Sequence, residues 1–292
     1  MNNENRHGRI GTRERLRVNV ARALGRIPKQ GPNFFVLGAA RAGTTTLHHL
    51  LNDHPDIFMP RKKELHYFDN DMVYRSDLGG YLSQFYGYRN ECAVGEVTPL
   101  YFEKGTVFSS SGGITFFNEE DSITRIARAF PHNQLIVSLR DPISRAQSLQ
   151  YKNFMQGKVV TSINEEILDE LYGKSRLNLI YRCRYDIHIK HILEYFSREQ
   201  VLFLVFENWI QDLQATLDRV SDFLHVERAS IPPDIAEEKQ NKRESYKSPM
   251  LQQDKPNTTM SAEVEKIFLE ALEPMYNFLS KIVDESFPWR RL

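Results

Sequence analysis

The stretch FFVLGAARAGTTTLHHLL, residues 34 to 51, decides how the rest of the chain is interpreted. Its first four residues are apolar and typical of a buried strand, and Leu47, Leu50 and Leu51 recur at helical spacing after the glycine loop. A strand, a glycine loop and a helix in this order direct the loop amides and the helix N-terminus at one anion. The stretch therefore predicts a phosphate-binding loop, although an ordinary strand-to-helix turn would share its glycines.

The loop differs from the loop of kinases and NTPases in the position of its cation. A kinase loop reads G-x-x-x-x-G-K-[ST], and its lysine reaches the terminal phosphates. Here Thr44 stands in place of that lysine, and the cation lies inside the loop as Arg41. Arg140 follows a later apolar run, where an NTPase usually offers an aspartate for magnesium. These changes favour a donor that needs no metal bridge, so we expect no metal.

A second anion anchor is predicted around Arg140. The run Leu135 to Leu139 reads as a strand, Asp141 as the N-cap of a helix and Pro142 as its first residue. Ser148 lies about two turns into that helix. Arg140 and Ser148 are therefore placed to reach one phosphate above the sheet, although Arg140 would also suit a simple ion pair with Asp141 or a surface carboxylate.

The segment KELHYFD, residues 63 to 69, brings two carboxylates and an imidazole into seven residues. Glu64 and His66 share one face of an extended chain, so the imidazole is placed to orient or tune the carboxylate. Asp69 ends the segment. Taken alone, the segment would also suit an ordinary charged loop.

Apolar runs alternate with helical patterns after Pro32. The segments interpreted as strands are 33–38, 93–97, 135–139 and 201–206, and those interpreted as helices are 44–52, 122–130, 143–154, 184–196 and 261–283. This alternation predicts an α/β fold in which a central parallel sheet is flanked by helices and ligands lie beyond the carboxyl ends of the strands. We expect one domain, residues 33–292, after a basic extension, residues 1–32.

Composition excludes several classes of protein. The 38 Lys and Arg residues balance 38 Asp and Glu residues, so no global charge indicates a nucleic-acid partner. Cys92 and Cys183 lack the spacing of metal ligands or of a disulfide framework. The sequence contains neither an apolar run of membrane-spanning length nor the apolar core of a secretory signal. We therefore expect a cytoplasmic protein that does not bind nucleic acid.

The basic extension carries eight Lys and Arg residues within residues 1–30 against Glu4 and Glu14. Five of its apolar residues recur at helical spacing and predict one amphipathic face: Leu16, Val20, Ala23, Leu24 and Ile27. We expect this face to pack on the edge of the domain. The alternative is that residues 1–30 contact an anionic membrane surface or an acidic partner.

Together these stretches resemble the sulfotransferases that use PAPS (3′-phosphoadenosine 5′-phosphosulfate). Residues 35–51 look like the family's 5′-phosphosulfate loop, and LRDPISRAQS, residues 139–148, resembles its 3′-phosphate motif. Residues 63–69 resemble the K-E-x-H-F-F-D segment of the glycan enzymes related to heparan sulfate sulfotransferases and their bacterial relatives. The resemblance implies a P-loop NTPase-like sulfotransferase fold.

GEVTPLYF, residues 95–102, resembles the family's acceptor-side element E-K-T-P-x-Y-F, with Val97 in place of the lysine. That lysine lies close to the acceptor in the glycan enzymes, so its loss argues against an anionic polysaccharide as the acceptor. For Glu96 and Tyr101 two roles remain open, structural hydrogen bonding and direct contact with the acceptor.

The resemblance implies in-line transfer of a sulfuryl group from PAPS to a hydroxyl or amine, with PAP as the product and Glu64 as the general base. The implied catalytic residues are Glu64, Arg41, His66 and Asp69. The implied nucleotide contacts are Arg41, Ala42, Gly43, Thr44, Thr45, Thr46, Arg140, Ser148, Arg243 and Lys247. The alternatives are a P-loop small-molecule kinase and a non-catalytic nucleotide-binding protein. A glycan, a lipid, a small metabolite and a carrier-bound intermediate all remain open as the acceptor.

Overall fold

The computed structural model describes residues 12–74, 78–108, 114–115, 120–158, 161–231 and 258–289. Every structural statement below concerns these residues. Arg243 and Lys247, two of the predicted nucleotide contacts, lie outside them.

Five parallel strands form the central sheet, in the order β2-β3-β1-β6-β7. Their bounds are β1 Phe34–Gly38, β2 Ile57–Phe58, β3 Ala93–Val97, β6 Gln134–Leu139 and β7 Val201–Val205. The chain leaves β1 toward β2 on one side and leaves β6 toward β7 on the other. In a parallel sheet such a reversal opens a crevice at the carboxyl ends of the two strands, which is where ligands bind. The fold therefore places a binding crevice between the ends of β1 and β6.

The remaining elements are helices and one small antiparallel strand pair. The α-helices are α1 Thr12–Ala23, α2 Thr44–Asn52, α3 Asp71–Tyr74, α4 Leu78–Leu82, α5 Ser122–Ala129, α6 Pro142–Met155, α7 Ile163–Leu171, α8 Leu179–Cys183, α9 Tyr185–Leu193, α10 Phe206–Trp209, α11 Leu213–Leu224 and α12 Ala262–Ile282. Short 3₁₀ turns cover Ser83–Phe85, Pro99–Phe102 and Arg198–Gln200, and β4 Val107–Phe108 pairs with β5 Ile114–Thr115.

The core has two layers because successive residues of a strand point to opposite faces of the sheet. Phe34 and Val36 of β1 pack with residues of α2 and α11 on one face. Phe35 and Leu37 pack with α5, α6, α9 and α12 on the other. All four side chains are fully buried. Burial on both faces explains why the central strand reads as an unbroken apolar run.

The predicted fold class, a central parallel sheet flanked by helices, is confirmed. The four predicted strands and all five predicted helices are present, with bounds that differ by no more than three residues. The strand β2 was not predicted because it has two residues, too few for a periodic signal. The helix predicted at 184–196 is shorter, and α8 precedes it as a separate turn.

The predicted packing of the α1 apolar face is wrong. Leu16, Val20 and Leu24 are exposed, whereas Val18 and Ala21 on another side of the helix are buried. Periodicity locates an apolar stripe but does not show which side of the helix meets the domain.

No helix in the described part of the chain combines the length and apolar character needed to cross a membrane.

Gly43, which caps the N-terminus of α2, occupies a position that tolerates no side chain. Its φ is 77°, and an added Cβ would lie 2.6 Å from the rings of both Phe206 and Trp209. We expect Gly43→Ala to destabilise the protein by about 1 to 3 kcal/mol more than Gly157→Ala, because only the former overpacks the core. Gly157 is a matched control, since its φ is 67° but nothing lies within 4 Å of its added Cβ. Thermal unfolding of both variants measures the difference, and equal losses would contradict the packing role of Gly43.

Candidate active site

A cavity of about 370 Å³ opens at the carboxyl ends of the strands. It is lined by the loop after β1, by Pro99 and Leu100 after β3, by Arg140 after β6 and by Phe206 after β7. Its size is within the usual range for a small-molecule site. The cavity therefore lies in the crevice that the strand order opens.

The loop after β1 is held in place by residues of β6 and α10. The amide of Ala39 donates to the carbonyl of Ser138, and the Ser138 hydroxyl donates to the carbonyl of Ala42, 2.7 Å away. Trp209 Nε1 donates to the same hydroxyl at 2.9 Å. Arg41 has a φ of 71°, in the left-handed region that most residues avoid. These contacts keep the loop in its left-handed turn before any ligand is bound.

The first turn of α2 faces the cavity through Thr44, Thr45 and Thr46. The N-cap residue Gly43 provides no side-chain acceptor for the amides of this turn. A helix N-terminus carries partial positive charge and unsatisfied N–H groups, so this end of α2 suits a phosphate. Ala42 is fully buried, and its own amide donates to the carbonyl of Ala39 at 3.1 Å.

The two predicted anion anchors contact each other. Arg41 Nε donates to the Ser148 hydroxyl at 2.8 Å, and one terminal nitrogen of Arg140 donates to the carbonyl of Arg41, also at 2.8 Å. The guanidinium of Arg140 lies 4.9 Å from the ring centre of Phe206. Its Nε is buried and makes no hydrogen bond within the described chain. Burial lowers the pKa of Arg140, although an arginine keeps its charge at neutral pH.

A second arginine supports the loop from inside the core. Arg145 is fully buried, and its Nε donates to the carbonyl of Ala40 at 2.9 Å. It also forms an ion pair with Glu103 at 2.8 Å and donates to the carbonyl of Arg182. Glu103 lies 3.3 Å from the guanidinium of Arg182, which lines the cavity. The loop and α8 are thus joined through one buried ion-pair network.

The carboxylate segment lies across the cavity from the loop. Glu64 and His66 line the cavity, and both have left-handed backbones, with φ values of 61° and 54°. His66 Nδ1 lies 2.7 Å from a carboxylate oxygen of Asp69, and its Nε2 lies 3.6 Å from Glu64 Oε2. Glu64 also forms an ion pair with Lys63. The imidazole therefore lies between two carboxylates. The extended chain predicted for this segment is wrong, because the backbone is left-handed at Glu64 and His66, and it is this turn that brings the two side chains together.

These contacts set the charges of the segment. The contact with His66 lowers the pKa of Glu64 to about 2, with help from Lys63 and against the effect of burial. Burial would lower the pKa of His66, but its contacts with Asp69 and Glu64 outweigh burial and raise it to about 9. Burial raises the pKa of Asp69, while His66 opposes that change. At neutral pH the segment therefore presents an ionised Glu64 beside an imidazolium.

Glu96 and Tyr101 support this segment without lining the cavity. Both are fully buried, and the Tyr101 hydroxyl donates to Glu96 at 2.8 Å while it accepts the amide of Tyr67 at 3.0 Å. Tyr81 also donates to Glu96, at 2.5 Å. Of the two roles left open by the sequence, the structure gives Glu96 and Tyr101 the structural one. Val97, at the position of the family's lysine, is buried in the core.

The predicted residues therefore occupy three kinds of position. Those that line the cavity are Arg41, Gly43, Thr44, Thr45, Thr46, Glu64, His66 and Arg140. Ser148 contributes through its contact with Arg41, Asp69 is buried behind His66, and Ala42 is buried beneath the loop.

Sequence reasoning missed the lysines at the cavity. Lys63, Lys152 and Lys158 line it together with Asn153 and Gln156. Partial burial and the charges of Arg41, Lys158 and Lys63 lower the pKa of Lys152, while Glu64 raises it. Lys152 lies four residues after Ser148 on α6, and that spacing places two residues on one helical face. The spacing of Ser148 and Lys152 within the predicted helix could therefore have indicated that Lys152 faces the site.

Comparison with known proteins gives consistent results. A family model described as "Sulfotransferase domain" matches residues 31–269. The chain is 28% identical over 217 residues to the human heparan sulfate glucosamine 3-O-sulfotransferase 3B1, covering 68% of this chain and 47% of that protein. It is 32% identical over 130 residues to the membrane-associated sulfotransferase kil1 of Dictyostelium discoideum, covering 42% of this chain and 24% of that protein. The chain thus spans about half or less of the length of these relatives.

Solved structures share the fold. A sulfotransferase from Alicyclobacillus acidocaldarius superposes with a TM-score of 0.65 at 24% identity, covering 88% of this chain and 97% of that chain. The sulfotransferase STF9 from Mycobacterium avium gives a TM-score of 0.53 at 13% identity, covering 95% of this chain and 83% of that chain.

The charge state of His66 is open to a direct test. Its pKa in the folded protein is about 9 against an ordinary value of 6.5, so its protonation stabilises the fold fully below about pH 6.5. That contribution is lost as the pH rises through about 9. We expect NMR titration to show the raised value in the wild type and a lower one in Asp69→Asn. The stability gap between the two proteins should narrow at alkaline pH.

His48 is the internal control for this titration, because burial lowers its pKa to about 4. Its resonance should not titrate in the alkaline range in either protein. A His66 pKa near 6.5 in the wild type would contradict the proposed charge state of the segment.

Proposed function

The chain belongs to the sulfotransferase domain family, and from this premise we propose that it transfers a sulfuryl group from PAPS to an acceptor hydroxyl or amine and releases PAP. One observation carries the proposal. Arg41, Ser148 and Arg140 form a hydrogen-bonded cluster on one wall of the cavity, and the ionised Glu64 stands on the same cavity. A cationic donor side and a proton acceptor are the two parts that such a transfer needs.

The donor side is assigned as follows in this proposal. The loop and the N-terminus of α2 hold the 5′-phosphate, because they supply amides and partial positive charge. Arg140 and Ser148 hold the 3′-phosphate, and the unbonded Nε of Arg140 supplies a donor for it. Arg41 stabilises the charge that develops on the departing 5′-phosphate. Arg243 and Lys247 remain predicted contacts of the nucleotide.

Glu64 is the proposed general base. The acceptor oxygen or nitrogen forms a bond to sulfur, the bond from sulfur to the 5′-phosphate oxygen breaks, and the acceptor's proton passes to Glu64. PAP leaves with the electron pair of the broken bond. His66, held by Asp69, orients the carboxylate. Transfer is direct, with no covalent enzyme intermediate.

The pairing of Glu64 with Lys63 has a consequence for this role. A carboxylate whose pKa lies at about 2 is fully ionised but is a weak base. We propose that the acceptor displaces Lys63 from Glu64 on binding. Loss of that ion pair raises the pKa of Glu64 at the moment when a proton must be taken, while the larger lowering effect, that of His66, remains.

The lysines at the cavity bear on the acceptor. Lys63, Lys152 and Lys158 supply cations on its lining, although the family's acceptor-side lysine is replaced here by the buried Val97. The human relative is named for action on glucosamine in heparan sulfate, an anionic glycan. We propose an acceptor that carries negative charge near the reacting group, a glycan being one such compound.

Glu64→Gln tests the general base. Removal of a general base typically lowers the rate about 10² to 10⁴-fold, and we expect a loss of that size in PAP release with PAP affinity nearly unchanged. The amide keeps the shape of the side chain but accepts no proton. Glu273→Gln, on an exposed position of α12, is the matched control and should retain full activity. Turnover of Glu64→Gln within a few fold of wild type would remove Glu64 from this role.

The PAP-release assay also tests the rival function, that of a P-loop kinase. A P-loop kinase depends on magnesium, whereas sulfuryl transfer by these residues should persist in EDTA. Transfer of phosphate from ATP-magnesium, with none of sulfuryl from PAPS, would replace the proposal with the kinase.

Arg140→Ala tests the 3′-phosphate anchor. We expect PAP binding to weaken by about 1.5 to 3 kcal/mol, the scale of a hydrogen bond to a charged group. Because Arg140 also holds the carbonyl of Arg41, some loss should appear for adenosine 5′-monophosphate too. The informative quantity is the excess loss for PAP, which calorimetric titration with both nucleotides measures. Ser148→Ala should give a smaller excess in the same direction, and equal losses for the two nucleotides would move Arg140 to the 5′ site.

A further inference from the structure

Helix α1 presents an apolar stripe to solvent. Leu16, Val20 and Leu24 follow one another at intervals of four residues and are 65%, 50% and 62% exposed. That spacing places them along one side of the helix and its C-terminal end. Exposed apolar residues scattered singly are ordinary, but a row of three on one helix indicates an interaction surface.

The stripe is held outward by the packing of the same helix. Val18 and Ala21 are each 7% exposed and anchor another side of α1. The chain that follows α1 is tied to the domain, since the carbonyl of Arg26 accepts the amide of Gly87 at 3.1 Å. The stripe is therefore the side of α1 that remains available when the helix is docked.

The charge around the stripe selects the kind of partner. Residues 1–30 contain eight Lys and Arg residues and two Glu residues, a net charge of +6 by subtraction. Arg26 and Lys29, just after the stripe, are exposed. The chain as a whole has no net charge, so the positive charge is concentrated here. An apolar row beside concentrated positive charge is the composition of helices that lie in the headgroup region of anionic bilayers.

The chain offers a contrasting patch. Leu168, Leu171 and Tyr172 are also exposed, at the end of α7. Asp169 and Glu170 lie between them in the sequence. Apolar exposure is therefore shared by two helices, but residues 163–176 carry a net charge of −2 (Glu165, Glu166, Asp169 and Glu170 against Lys174 and Arg176), whereas residues 1–30 carry +6.

We propose that α1 is an interfacial helix that docks this protein on an anionic lipid surface. Leu16, Val20 and Leu24 enter the headgroup boundary, and the exposed Arg26 and Lys29 pair with lipid phosphates and carboxylates. Binding of this kind rests on charge as much as on apolar area, so it is reversible and weakens with salt.

The docked orientation follows from the path of the chain. Residue Asn33, at the start of β1, pairs with β3 and β6 through Val94 and Gln134 at the amino ends of these strands. The segment from α1 to β1 therefore meets the sheet at its amino edge, whereas the cavity opens at the carboxyl edge. Docking through α1 leaves the cavity open to the aqueous side.

Sedimentation of the full chain with vesicles tests the proposal. We expect binding to phosphatidylcholine vesicles that contain phosphatidylserine, no binding to pure phosphatidylcholine, and release at high salt. The triple variant Leu16→Ser, Val20→Ser, Leu24→Ser should bind about tenfold more weakly, because the apolar contacts are lost. The pair Arg26→Gln, Lys29→Gln should also bind about tenfold or more weakly, given the contribution of each charge near an anionic surface.

The matched control is the triple variant Leu168→Ser, Leu171→Ser, Tyr172→Ser, which removes comparable apolar exposure from a segment with a net negative charge. It should bind anionic vesicles like the wild type. The α1 triple variant should keep wild-type thermal stability and should release PAP at the wild-type rate with a water-soluble acceptor.

Three results would overturn the proposal. The first is equal binding of the wild type to neutral and anionic vesicles, or binding to neither. The second is a dimer, detected by light scattering, that the α1 triple variant abolishes, since the stripe would then be an interface between two copies of the chain. The third is a large fall in the melting temperature of that variant, which would mean that another part of the chain covers the stripe.

Discussion

The hydroxyl of Ser138 is the point on which the active site depends. It donates to the carbonyl of Ala42 in the loop and accepts the indole N–H of Trp209, so one side chain of β6 joins the loop, the sheet and α10. The loop has a left-handed backbone at Arg41, and Gly43 packs closely on Phe206 and Trp209. A loop built this way is organised before the nucleotide arrives, so little ordering has to accompany binding.

The carboxylate segment is organised by the same principle with different groups. Its backbone is left-handed at Glu64 and His66, and the Tyr101 hydroxyl holds the next residue from the core. Because the His66 imidazole lies between two carboxylates, it fixes the charge of Glu64 as well as its position. The two walls of the cavity differ in their charged groups: Arg41 lies on one, and the ionised Glu64, paired with Lys63 and the His66 imidazolium, lies on the other. Under the proposed function, this difference favours an anionic phosphosulfate donor beside Arg41 and a proton-bearing nucleophile beside Glu64.

The sequence predicted the parts of this site that are specified by residues close together in the chain. The glycine loop, the strand before Arg140 and its Asp141 cap read directly, because each is specified by neighbouring residues. The sequence also grouped Glu64, His66 and Asp69, but it predicted an extended backbone where the structure is left-handed. The support from Tyr101 and Arg145 joins residues more than thirty positions apart in the chain, and no local pattern indicates such pairs. The orientation of α1 failed for a related reason: periodicity defines the faces of a helix, whereas the domain decides which face is covered.

Two arginines of the cavity lie at strand ends, whereas two of its lysines lie near the end of a helix. This difference has a consequence for how such enzymes diversify. Arg41 and Arg140 lie at the carboxyl ends of strands, next to the buried residues Ala39, Ala42 and Leu139. Lys152, Gln156 and Lys158 lie at the far end of α6 and beyond it, largely exposed to solvent. Mutation can therefore alter the lysine-bearing wall with little effect on folding. Acceptor preference can drift over evolutionary time while the donor remains the same, so related chains with one ancestral chemistry can come to modify unlike compounds.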